Sequence, residues 1–107
     1  MLRLARLAAV LLLLPVLTAA YAGDTIVKDY DIVLSQEECR QTSIRILHSL
    51  AGPDVPVMQL EPLLFYSDEQ SELIAVCRAD KGVLVVFARG VRAEQGQLAF
   101  YEAFAQR

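Results

Sequence analysis

The opening 22 residues decide how much of this 107-residue chain is left to fold, and in what surroundings. Arg3 and Arg6 precede the apolar run Leu7-Ala8-Ala9-Val10-Leu11-Leu12-Leu13-Leu14, and the segment closes on Ala20-Tyr21-Ala22. A basic start, an apolar middle and small residues before the cut are the pattern of a secretory signal peptide, with cleavage expected after Ala22. The apolar run is too short to span a bilayer, and Pro15 interrupts it. Residues 23–107 then remain, enough for a single small domain around one modest core.

Export makes the cysteine count meaningful. Only Cys39 and Cys77 are present, and in an oxidising compartment two cysteines in a small domain are expected to pair. Closing a loop of that length removes roughly 4 kcal/mol of unfolded-chain entropy, a large share of a small domain's stability. Two of the ten basic residues precede Gly23, leaving eight against 13 acidic ones, a net charge of −5. So acidic a chain has no reason to seek phosphate backbones, and nucleic acid is not an expected partner. No second long apolar segment follows the first, and no cysteine stands just after the cleavage site to take a lipid, so the processed protein is expected to have no membrane attachment. Eight of the ten basic residues are arginine in an Ala- and Leu-rich chain, a bias that points to a bacterial periplasm.

The pattern beyond Ala22 reads as β-α-β-β-β-α, an α+β domain with a small antiparallel or mixed sheet of 3–4 strands, two helices and one disulfide. Residues 25–34 end in an alternation that sets Tyr30, Ile32 and Leu34 against Asp29, Asp31 and Val33, as in a half-buried strand. Ser35-Gln36-Glu37-Glu38 has the S-x-x-E form of a capping box, and Cys39, Ser43, Ile46, Leu47 and Leu50 follow at helical spacing until Gly52-Pro53 stops the run. Pro53, Pro56 and Pro62 make residues 52–61 a loop, and residues 63–66 a short strand. Residues 72–79 and 83–89 flank Asp80-Lys81-Gly82, which predicts a hairpin closed by a three-residue turn with a left-handed glycine.

That turn sets a register in which Cys77 opposes Val85, Ala75 opposes Phe87 and Leu73 opposes Arg89 on one face. The disulfide places the helix stripe over Ala75, Cys77, Val85 and Phe87. Ile74, Val76, Leu84, Val86 and Ala88 then form a second apolar face. A helix over residues 93–106, with Phe100 and Phe104 four apart beside Leu98 and Tyr101, is expected to cover it; Gly96 weakens that helix. Where the helix fails to cover it, Ile74, Val76, Leu84 and Val86 are the candidate interaction surface, because soluble monomers seldom leave a large apolar area in water.

Catalytic chemistry finds little to work with. His48 is the only histidine, so neither a nucleophile–base pair with a second imidazole nor a multi-histidine metal site is available. Its place near a helix end suits a cation at the negative pole of the helix dipole. A hydrolase or metal carrier built on His48 with a nearby carboxylate or Met58 is the rival reading. The carboxylates Asp29/Asp31, Glu37/Glu38 and Asp68/Glu69/Glu72 fall on a strand's polar side, in a helix first turn and in a polar turn, which explains each without catalysis. Neither G-x-S-x-G, S-x-x-K nor a glycine-rich phosphate loop occurs. Arg78, Arg89 and Arg92 are candidate anion contacts, with sheet-edge charge as the plainer role.

The expectation is therefore a noncatalytic, cofactor-free and metal-free binding or interaction protein, periplasmic or secreted. Its partner would be another periplasmic protein or a second copy. An inhibitor of an enzyme such as a lysozyme fits the same picture, since an acidic surface suits a basic target.

Overall fold

The computed structural model describes residues 25–52 and 54–105, so the expected signal peptide and its cleavage site lie outside the described residues. The chain runs β1 (Thr25–Asp31), α1 (Gln36–Ala51), β2 (Met58–Leu60), β3 (Leu63–Ser67), β4 (Ser71–Arg78), β5 (Val83–Gly90) and α2 (Ala93–Phe100), the last continued as one π-helical turn over Tyr101–Ala105. It is an α+β fold of two helices and a single antiparallel sheet in the order β1-β5-β4-β3-β2, joined by one disulfide.

Local chemistry explains the first helix. The Ser35 hydroxyl accepts from the Glu38 amide at 3.1 Å while the Glu38 carboxylate accepts from the Ser35 amide at 3.4 Å, the reciprocal capping box. Gln36 then ties this end of the helix to the sheet: its amide nitrogen donates to the Cys77 carbonyl at 2.7 Å and its oxygen accepts from the Ala79 amide at 3.0 Å. Cys39 and Leu47 are fully buried along the inner stripe, and Gly52 ends the helix at φ 98°, a region where only glycine is unstrained. Cys39 and Cys77 are bonded with their Cα atoms 6.0 Å apart, so the helix is stapled to β4.

The sheet has five strands, not three or four. The additional one, β2, lies in the stretch expected to be a loop. With only three residues it shows no alternation, and it pairs with β3 through a two-residue turn, Glu61-Pro62, whose peptide bond is cis.

The β4–β5 register also differs from expectation, by one residue. The turn holds four residues, a 3₁₀ turn over Ala79–Lys81 and then Gly82 at φ 68°, so Val83 opposes Arg78. Cys77 therefore pairs with Leu84, Ala75 with Val86 and Leu73 with Ala88. Because side chains alternate along a strand, this one-residue shift exchanges the two faces of β5. Leu84, Val86 and Ala88 join Leu73, Ala75 and Cys77 in the core, every one of them at most 1% exposed, and Val85 and Phe87 turn to the opposite side. Of the expected interaction surface Ile74, Val76, Leu84 and Val86, the last two are thus core residues.

Both helices pack on this one face, α1 against β3 and β4, and α2 against β5, β1 and α1. The C-terminal helix does not cover the second face. Phe100 and Phe104 are buried as expected, their rings stacked with centroids 6.1 Å apart, but they complete the helix-side core. Gly96 is what lets α2 lie so close: a Cβ there would fall 2.4 Å from Leu73 Cδ2. Beneath the helix, Gln97 donates to the carbonyls of Ile26 at 3.0 Å and Val86 at 2.8 Å and accepts from the Tyr30 hydroxyl at 3.0 Å. A buried amide is tolerated only when satisfied in this way.

Candidate functional site

Two helices pack on one face, and among the described residues nothing covers the other. The register places its side chains in rows across all five strands. Val27 opposes Phe87, Phe87 opposes Ile74, Ile74 opposes Phe65 and Phe65 opposes Met58. The neighbouring row runs Asp29, Val85, Val76, Leu63, Leu60 by the same pairings. Nine of these ten positions are apolar. Val27, Met58, Leu60 and Leu63 are 39–61% exposed, and the other five are half-buried.

Charge borders the stripe at both ends. On one side Arg89 reaches Glu72 at 3.1 Å, next to Thr25 and Ser67; on the other Arg78 reaches Asp80 at 3.0 Å, with Asp31 two strands away. The Arg78 guanidinium holds the Asp80 carboxyl below the ordinary range, chiefly through that hydrogen bond. The face is thus an apolar band of roughly 600 Å² with one ion pair at each border, at the upper end of what monomers expose.

The three arginines are not brought together. Arg78 and Arg89 stand at opposite ends of the β4–β5 hairpin, each beside a carboxylate. Arg92 lies on the helix side, where it donates to the Leu50 carbonyl at 2.8 Å, satisfying the end of α1, and to the Tyr66 hydroxyl at 3.2 Å, with Asp68 at 3.9 Å. Asp68 is the hub of that corner. It accepts from the Tyr66 hydroxyl and from the amides of Gln70 and Ser71 at 2.7 and 2.8 Å. Burial works to raise its pKa, but the hydroxyl, the two amides and Arg92 together hold the carboxyl below its usual value. Burial and the neighbouring carboxylate push the Tyr66 hydroxyl up. Every group here serves the fold, because the corner closes the β3–β4 turn and locks α1 to the start of α2.

His48 sits in the last turn of α1, and its Nδ1 is buried without a hydrogen-bond partner among the described residues. No three of His, Cys, Asp and Glu gather at metal-ligand spacing among the described residues. The carboxylate groups are dispersed. Glu37 pairs with Arg40, which lowers its pKa, Glu38 serves the capping box, and Asp29 and Asp31 face outward from β1.

A groove of about 540 Å³ opens between the free edge of β1 and α2, lined by Ile26, Lys28, Tyr30, Leu98 and Tyr101 among others. The expected contributors Leu98 and Tyr101 are thus on its wall, 57% and 48% exposed, and not in the core. Of the nine apolar residues of the bare face, sequence reasoning assigned only Ile74 and Val76 to it; it set Val85 and Phe87 under the first helix and missed Val27, Met58, Leu60, Leu63 and Phe65. The alternation Leu63/Phe65 against Leu64/Tyr66 was the available signal, and it shows its meaning only once both helices are known to lie on the Leu64/Tyr66 side.

A scan against models of known protein families finds no match for this chain, and neither does comparison with curated proteins or with solved structures.

Proposed function

We propose that this is an exported, noncatalytic interaction protein whose working surface is the bare face of the sheet. One observation carries the reading: nine apolar side chains lie in two continuous cross-strand rows with neither helix over them. An area of that size and sign is stable in water chiefly when a partner covers it. The disulfide supports the exported half of the reading, since such bonds persist in oxidising compartments.

The test compares the chain carrying its own N-terminal segment with a Phe87→Asp variant. Processed protein recovered after export is expected to begin at Gly23 by intact mass, and its stable associations, captured from the exported fraction, are expected to disappear in the variant while its circular dichroism stays unchanged. Retention of residues 1–22 overturns the export reading. An association profile identical in both proteins overturns the surface.

A further inference from the structure

The geometry points to a second copy of this chain as the occupant of the bare face: two sheets stack face to face into a helix–sheet–sheet–helix dimer. The inference rests on the bare face being the working surface and names what covers it.

Area is the first reason. The apolar band offers roughly 600 Å² per copy, and the bordering charged rows bring the face to about 800 Å², so a pair buries about 1,600 Å², the size of a standard stable interface. Smaller contacts rarely hold two proteins together. The face also has the make-up of a sandwich core, with β-branched, aromatic and long aliphatic side chains on a pleated surface that a second sheet meets at about 10 Å.

Charge is the second reason. The processed chain carries −5, which opposes self-association in general. On the bare face Arg78 and Arg89 stand with Asp29, Asp31, Glu72 and Asp80, and apart from Asp29 these charges lie on the borders, so the apolar rows that a second copy would cover carry little of that excess. The arrangement of the face is also self-complementary. A two-fold axis running across the strands between the two apolar rows exchanges those rows, so Phe87 meets Val85 of the second copy, Phe65 meets Leu63 and Ile74 meets Val76. Large side chains face smaller ones, as interdigitation requires. The same operation sets Glu72 against Arg78 on both sides. An axis along the strands would instead set Glu72 against Glu72 and Arg78 against Arg78, so the charges select the first geometry.

The sheet's edges are poor rivals for self-association. β2 is three residues long and runs into Glu61-Pro62, which blunts that edge. β1 is longer, but the fully overlapping antiparallel register of two β1 strands pairs Lys28 with Lys28.

Sedimentation velocity on the purified full chain, over a range from about 1 to 100 µM, reads the outcome. The wild type is expected at twice the chain mass at the upper end. Phe87→Asp is expected to weaken the dimer at least about 100-fold, the loss that truncating a central aromatic anchor produces. Should Phe87→Asp fail to fold, Val27→Lys and Leu60→Lys take its place, since both positions are largely exposed and contribute little to the monomer core. Arg78→Glu is expected to weaken the dimer and Glu72→Arg in the same chain to recover part of the loss. A wild type that stays monomeric at 100 µM overturns the second copy as occupant, whether the N-terminal residues or a different protein covers the face. The association profile of the exported fraction then decides the broader reading separately. A dimer untouched by Phe87→Asp, Val27→Lys and Leu60→Lys overturns it as well, because its contact lies elsewhere.

Discussion

Val85 and Val86 are adjacent in sequence, identical in chemistry and on opposite faces of the sheet, which makes them a test of the β4–β5 register. Val86 is 0% exposed beneath the helices, between Ala75 and Lys28, whereas Val85 is half-buried on the bare face between Val76 and Asp29. Val86→Asp loses the transfer free energy of a buried valine, about 1.5–3 kcal/mol, and strands a carboxyl in an apolar core. Even protonated, that group costs several kcal/mol more, so the total exceeds about 5 kcal/mol, comparable to the whole stability of a small domain. Val85→Asp forfeits only part of the transfer term and sets a carboxylate opposite Asp29. Like charges facing each other across strands cost about 0.2–1 kcal/mol, so the total is about 1–2 kcal/mol. Soluble yield, resistance to protease and urea unfolding followed by far-UV circular dichroism measure the contrast. Val86→Asp is expected to be unfolded and Val85→Asp folded with a slightly lower midpoint. The reverse outcome would mean a three-residue turn and exchanged faces, and would refute the fold's account of which side is bare.

Two further outcomes follow from the packing and the charges. Gly96→Ala gains about 1 kcal/mol of helix propensity but drives a Cβ to 2.4 Å from a fully buried Leu73, an overpacking cost of about 1–3 kcal/mol, so a net loss of about 1 kcal/mol is expected in calorimetry; a raised melting temperature would show that α2 sits farther from the sheet. Asp68→Asn removes the charge from the Tyr66–Arg92 corner and, because a third of the side chain remains exposed, is expected to cost no more than about 1–2 kcal/mol at neutral pH. The Asp68 carboxyl is held below its usual pKa, so its stabilising contribution is complete above the ordinary carboxylate value and lost as pH falls through the depressed one. Urea midpoints measured from pH 6 down to the acid limit are therefore expected to fall less steeply in the variant than in the wild type, and parallel curves would sink the assignment.

Local patterns were legible in the residues alone. The capping box at Ser35, the stop at Gly52, the left-handed glycine at 82, the paired cysteines and the burial of Phe100 and Phe104 all depend on near neighbours or on a choice with one solution. Two readings needed the tertiary structure. Met58–Leu60 is too short to show a period, and only its partner strand makes it a strand. The hairpin turn accepts three or four residues with the same Gly82, and apolar side chains fall on both faces of β4 and β5 in either register, so hydrophobic pattern cannot choose between them. What chooses is the packing of Leu84, Val86 and Ala88 against two helices at once. That choice sends Val85 and Phe87 outward to join Leu63 and Phe65, which is why the candidate site, unlike the fold class, could not be assembled from sequence: it consists of the side chains that the core left over.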